Sequence, residues 1–254
     1  MRRFLLISVL GLASACGGPD TSMDAAESLG ESRQRLALMD YQASNTTNAT
    51  NPATSAHYNV DLVANEAVMI GTCGLSDATF TGDTLLRLYN SSATEVANND
   101  QNCYGDGSKL SYTPTISGSY LIRAGCWSSG SCTGTVAIAR RKGAPVFFSA
   151  SNTNNAQVNT FNKQYSFTGG EVVRVSTCGV SSTGAAASGD TYLRLYRNVN
   201  GVFTLVASND TAATLGCGTA AEIVYSVPAS GYYQFRAGCA GNTACSGNVT
   251  VYVE

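Results

Sequence analysis

Gly82-Asp83-Thr84-Leu85-Leu86-Arg87-Leu88-Tyr89 recurs downstream as Gly189-Asp190-Thr191-Tyr192-Leu193-Arg194-Leu195-Tyr196. Leu86 and Leu88 alternate with Arg87 and Tyr89, and Leu193 and Leu195 alternate with Arg194 and Tyr196. A period of two is the mark of a strand with one buried face. It predicts Leu86 and Leu88, with Thr191, Leu193 and Leu195, pointing inward. Leu85, Arg87 and Tyr89, with Tyr192, Arg194 and Tyr196, are expected to point outward.

The repetition extends well beyond this strand. Ala43–Ala49 recurs at Ala150–Ala156 and Thr72-Cys73-Gly74 at Thr177-Cys178-Gly179. Asn98-Asn99-Asp100 recurs as Ser208-Asn209-Asp210, and Arg123-Ala124-Gly125-Cys126 as Arg236-Ala237-Gly238-Cys239. Matched motifs in matched order mean a tandem duplication. Two domains are expected, at 41–140 and 148–254, with Arg140, Arg141, Lys142 and Gly143 at their junction. Further strand-like runs are Tyr58–Val63, Ala67–Thr72, Tyr120–Ala124 and Thr135–Ala139, with counterparts in the second copy. Gly, Asn and Ser separate them at short intervals, which points to an all-β antiparallel sandwich.

Composition agrees with this reading. Of 254 residues, 26 are Gly and only 13% are charged, with a net charge of −2. The charged fraction is about half the ~25% usual for soluble domains. That excludes a coiled coil, a charge-rich disordered segment and a basic nucleic-acid binder.

Nine cysteines divide as one plus four plus four. Each copy carries a matched set: Cys73, Cys103, Cys126 and Cys132, then Cys178, Cys217, Cys239 and Cys245. Four cysteines allow three pairings per domain. The favoured one is Cys73–Cys103 with Cys126–Cys132, and Cys178–Cys217 with Cys239–Cys245. The short Cys126–Cys132 loop is expected to join two adjacent strands, with the bridge stapling its base. A metal site is disfavoured, because no CxxC spacing occurs and no His lies nearby.

The ninth cysteine is Cys16, in Met1-Arg2-Arg3-Phe4-Leu5-Leu6-Ile7-Ser8-Val9-Leu10-Gly11-Leu12-Ala13-Ser14-Ala15-Cys16. Two arginines precede a short apolar run that ends in small residues, the pattern of an export signal. The segment resembles the lipobox of bacterial lipoproteins, with Ala13 where that family prefers Leu. The resemblance implies a signal peptide at 1–15, lipidation of Cys16 and a tether over 16–40. A mature protein without an integral transmembrane helix would then be anchored to the membrane by its lipid. Gly17, in place of Asp, implies an outer-membrane address in the bacterial cell envelope.

The order of motifs resembles the bacterial pre-peptidase C-terminal domain, here in tandem. The resemblance rests on Gly170–Val175, the Asp-Thr-x-Leu-x-Leu-Tyr strand, the Asn-Asp turn and Gly231-Tyr232-Tyr233. It implies jelly-roll-like sandwiches, similar to the collagen-binding domains of secreted collagenases, some of which bind calcium. Members of the family often accompany proteases, but no protease domain is present here.

Little catalytic equipment is visible. The only His is His57, without a counterpart in the second copy, and no Gly-x-Ser-x-Gly elbow or Ser-His-Asp set occurs. The chain therefore reads as non-enzymatic. Asp83, Asn99 and Asp100, with Asp190, Asn209 and Asp210, form the candidate calcium constellation, because calcium takes about six to eight oxygen ligands. The same residue types stabilise turns through backbone N–H groups, so a purely structural reading stands beside it. Arg87, Tyr89, Tyr192, Arg194 and Tyr196 are the candidate ligand-binding residues, since exposed aromatics with Arg mark binding surfaces. Trp127 is a candidate anchor in the first copy alone. Two function classes follow: a binding module for an extracellular protein or polysaccharide, or an accessory envelope protein without a soluble ligand.

Overall fold

The computed structural model describes residues 38–103 and 105–254, and all regular secondary structure among them is strand. Cys16, the signal peptide and most of the expected tether lie outside the described residues. The first repeat comprises β1 (Met39–Ser44), β2 (Ala56–Leu62), β3 (Val68–Gly71), β4 (Thr79–Thr81), β5 (Thr84–Tyr89), β6 (Glu95–Asn99), β7 (Lys109–Tyr112), β8 (Gly118–Cys126) and β9 (Ser131–Arg141). The second repeats that order with β10 (Val146–Ser151), β11 (Phe161–Phe167), β12 (Val172–Ser176), β13 (Ala186–Ser188), β14 (Thr191–Val199), β15 (Val202–Asn209), β16 (Glu222–Ser226), β17 (Gly231–Cys239) and β18 (Ala244–Val253).

Each repeat is an antiparallel sandwich. One layer is the four-stranded sheet β2-β8-β5-β6, matched by β11-β17-β14-β15. The other layer is built on a single long strand. In the first repeat β1 and β4 flank the start of β9, and β3 pairs its end. In the second, β10, β13 and β12 take the same places along β18. Six of the eight connections within each repeat cross from one layer to the other, which is jelly-roll-like wiring. The expected alternation fills the core between layers: Leu86, Leu88, Ile122 and Ile138 in one repeat, Leu193, Leu195, Phe235 and Val251 in the other.

Four expectations are corrected. Strand β1 begins at Met39, inside the expected tether, because Met39, Tyr41 and Ala43 alternate into the core. Strand β10 begins at Val146, ahead of the expected boundary at 148, and β9 runs on to Arg141, one residue past the expected end of the first domain. Leu85 is buried although it points outward, because a loop covers that part of the face. The Cys126–Cys132 bridge does not staple neighbouring strands of one sheet. It joins β8 to β9 in opposite layers, and Cys239–Cys245 does the same for β17 and β18. All four favoured pairings are present, including Cys73–Cys103 and Cys178–Cys217.

Both repeats belong to one compact unit. The end of β18 pairs with the end of β9, Tyr252 opposite Arg141 and Val253 opposite Arg140. This creates one six-stranded path, β16-β12-β18-β9-β3-β7, running through both repeats. Arg140 and Val253 occupy equivalent places in the two copies, so the junction has a local two-fold axis. Residues paired across antiparallel strands point to the same side. Val253 packs on its own core, and Arg140 reaches the Asp61 carbonyl on β2. The two four-stranded sheets therefore stack on the same side of the shared sheet.

Candidate binding face

The repeated motifs resolve first into scaffold. Gly82 and Gly189 sit at the corner between layers with φ of +77° and +79°. A Cβ at Gly82 would collide with the Ser131 carbonyl, and one at Gly189 would lie 2.8 Å from that of Ala244. The following threonines are buried and tie the corner to the Thr-Cys-Gly motif. Thr84 Oγ1 lies 3.1 Å from Thr72 Oγ1 and 2.9 Å from Ser108 Oγ. Thr191 Oγ1 lies 2.7 Å from Thr177 Oγ1, and both accept the Ala221 N–H at 2.9 Å.

The candidate calcium residues gather at the same corner. Asn99 Oδ1 accepts the Lys109 N–H at 3.3 Å, and Asn209 Oδ1 accepts the Glu222 N–H at 3.2 Å. These two amide oxygens are thus committed to holding strands. The Asp83 and Asp190 backbone carbonyls accept the N–H of Trp127 and Ala240. Asp83 Oδ1 and Asp190 Oδ1 are buried without a hydrogen-bond partner. Burial, then the nearby Asp106 and Asp100 carboxylates, pushes the Asp83 carboxyl above its ordinary range. Among the described residues no group of three or more His, Cys, Asp or Glu side chains is placed to hold a metal ion.

The Ala43–Ala49 repeat forms an unusual turn. Asn45, Thr47, Asn48 and Ala49 have φ between 52° and 58°, and Asn152, Asn154, Asn155 and Ala156 have φ between 48° and 56°. Left-handed backbone at non-glycine residues costs about 1–2 kcal/mol each, so the surroundings must hold the turn. Thr46 Oγ1 donates to the Cys126 carbonyl and accepts the Cys126 and Ala49 N–H groups. Thr153 does the same with Cys239 and Ala156. Gly125 and Gly238 make room: a Cβ on either would lie 2.7 Å from the threonine oxygen.

The two candidate arginines complete that clamp. Arg87 Nε donates to the Asn48 carbonyl at 2.7 Å and Nη1 pairs with Glu95 at 2.6 Å. Arg194 Nε donates to the Asn155 carbonyl at 2.6 Å. The Nε of each arginine is thus bonded to the turn, and Arg87 is also paired with Glu95. Tyr89 lies under Arg123, 4.6 Å from its centroid, and Tyr196 under Arg236 at 4.0 Å. In the first repeat these groups border a groove of about 400 Å³ lined by Asn59, Tyr89, Leu121 and Arg123. His57 stands on the edge strand β2 opposite Arg123, and burial followed by the Arg123 charge lowers its pKa.

The second repeat carries more aromatic surface on the same sheet face. Register aligns Tyr192, Arg194, Tyr196 and Asn198 along β14 with Arg236, Gln234 and Tyr232 on β17. Asn162 and Gln164 continue the face onto β11, and Leu205 and Phe203 onto β15. Tyr232 and Leu205 are exposed, and Tyr192, Tyr196 and Phe203 are half-buried. Tyr232 and Phe203 were invisible as site residues in the sequence, because only register across three strands places them beside Tyr196. Trp127 is 45% exposed at the corner of the first repeat, as a surface anchor requires.

No family model matches the chain, and no curated protein matches it. Among solved structures, it is similar to a chain in the atomic structure of Sulfolobus turreted icosahedral virus, with 8% identity, coverage of 85% of this chain and 90% of that one, and a TM-score of 0.28. It is also similar to the CBM22-1–CBM22-2 tandem domain of Paenibacillus barcinonensis Xyn10C, with 10% identity, coverage of 85% and 91%, and a TM-score of 0.24.

Proposed function

We propose that the chain is a non-enzymatic bacterial cell-envelope lipoprotein whose tandem sandwiches, similar to pre-peptidase C-terminal domains, bind an extracellular polysaccharide. One observation carries the ligand class: the second repeat sets Tyr192, Tyr196, Phe203 and Tyr232 among the amides of Asn162, Gln164, Gln234 and Asn198 on one sheet face. Aromatic rings supply flat apolar surface and amides supply paired donors and acceptors. That mixture suits a sugar ring, which is apolar on its faces and hydroxylated at its rim.

In this reading a lipid on Cys16 is the membrane anchor, and Gly17 in place of Asp supports an outer-membrane address. No helix among the described residues is long and apolar enough to cross a membrane. Glycan and matrix-protein arrays with a soluble Cys16→Ser chain test the reading. We expect polysaccharide retention, weakened about tenfold or more by Tyr196→Ala or Tyr232→Ala. Retention by protein alone favours a protein ligand, and no retention on either array favours the accessory role. Radiolabelled fatty acid should enter the native chain and not the Cys16→Ser variant.

A further inference from the structure

The junction between repeats concentrates charge in a chain that otherwise has little. Lys109 and Arg174 are buried, at 4% and 6% exposure, and the side chains of Glu222 and Glu254 are 7% and 2% exposed. Arg174 Nη1 meets Glu222 Oε1 at 2.7 Å, and its Nε meets Glu254 Oε1 at 2.5 Å. Glu222 Oε2 also accepts the Ser181 hydroxyl within the second repeat, and four further contacts cross between repeats. Arg174 Nη2 donates to the Gly74 carbonyl at 3.1 Å, and the Ser76 N–H donates to Glu254 Oε2 at 2.5 Å. Lys109 Nζ donates to the Val180 carbonyl at 3.2 Å, and Thr183 Oγ1 to Ser111 Oγ at 2.6 Å. Beside them Tyr252 of the second repeat packs with Met69, Leu75, Ala137 and Ala139 of the first.

The local two-fold axis makes these positions comparable. Lys109 and Glu222 each open the strand that ends the shared sheet. Arg141 and Glu254 are equivalent along β9 and β18, and Met69 and Arg174 along β3 and β12. At a two-fold junction, identical repeats would set like groups against like. Here the copies have diverged to opposite sign at two of these positions and from apolar to charged at the third.

We infer that this divergence is a pairing code, by which each repeat takes the other as its partner and rejects a second copy of itself. Two first repeats across the axis would set Arg140 opposite Arg140, and a second lysine would stand where Glu222 does. Two second repeats would crowd four carboxylates around two arginines. Buried charges left without a partner are strongly destabilising, and repulsive elements of this sort are how specificity is built. The consequence is one closed chain with both four-stranded sheets held on the same side. A long ligand approaching that side meets both outer faces at a fixed spacing. That last consequence rests on the proposed polysaccharide binding, whereas the pairing itself does not.

The test is a full chain with a protease site inserted between Gly143 and Ala144, both exposed. After cleavage the halves should co-elute at micromolar concentration with the mass of one chain. Separation on cleavage, or assembly into larger multiples, overturns the code. Lys109→Glu should release the cleaved halves, whereas Lys109→Arg should retain them; co-elution of the Lys109→Glu halves also overturns it. Should Lys109→Glu fail to fold, hydrogen exchange of the unaltered chain reads the same junction. The Lys142 N–H donates to the Val251 carbonyl at 2.7 Å and should exchange slowly. Exchange at open-peptide rates sinks the pairing. If the halves stay paired and no glycan binds, the ligand reading fails and the code survives.

Discussion

At the residue scale, the two most informative side chains are a threonine and an aspartate. Thr153 Oγ1 satisfies three buried backbone groups at once. Thr153→Val keeps the shape and leaves two N–H groups without that acceptor. A loss of about 2–3 kcal/mol is expected in denaturant melts, and Thr153→Ser should lose less. Asp83 works in the opposite direction. Its carboxyl is raised in the fold, so the stability it contributes is present below the unfolded value near 4 and is lost as pH rises through the raised value. Asp83→Asn should therefore raise the melting temperature at pH 7, and the gain should vanish by about pH 3. Calcium decides the alternative. If calcium raises the melting temperature of the native chain, and the rise disappears in Asp83→Asn, a cation belongs at this corner.

At the scale of elements, a repeated motif proves to be a packing instruction. Arg-Ala-Gly-Cys supplies, in order, a cation over a tyrosine, a core residue, a gap for the left-handed turn and an inter-sheet bridge. The sequence showed the motif but not the turn, because non-glycine left-handed backbone has no periodic signature. Strands β4, β6 and β7 were missed for a related reason: they are short or lie at sheet edges, where burial imposes little pattern. Cysteine pairing was legible because both copies keep the same short spacing, six residues from Cys126 to Cys132 and from Cys239 to Cys245. The closed loops now carry a prediction. Removing Cys178–Cys217, separated by 39 residues, should cost about 4 kcal/mol on the chain-entropy model, and removing Cys239–Cys245 about 2. Intact mass of the exported chain should show no free thiol among these eight cysteines.

At the scale of the whole molecule, burial makes the fold sensitive to alkali. Tyr41, Tyr58, Tyr89, Tyr120, Tyr165, Tyr233 and Tyr252 all have their hydroxyls raised, chiefly by burial. Unfolded tyrosines ionise near 10, while the folded ones keep their protons. The stability they contribute is present below about pH 10 and is lost as pH climbs further. Lys109, lowered by burial and then by Arg174, acts with the opposite sign, but it is one group against seven. Melts should hold steady to about pH 9 and fall steeply above about pH 10. The fall should coincide with the tyrosinate absorbance rise; ionisation of all tyrosines without loss of fold would contradict this.

The repeated Gly-Asp-Thr, Thr-Cys-Gly and Arg-Ala-Gly-Cys motifs serve as scaffold in both copies. The sequence by itself determined the all-β class, the duplication and the inward leucines, and it favoured the disulfide partners that the structure shows. Those follow from periods and spacings that are local, or that are copied once along the chain. Only the tertiary structure decided that Arg87 and Arg194 clamp turns, that Tyr232 and Phe203 join Tyr196, and that the repeats share one sheet. Each of those depends on strand register, which one residue of slip would reverse, and the shared sheet also depends on contacts between groups about a hundred residues apart.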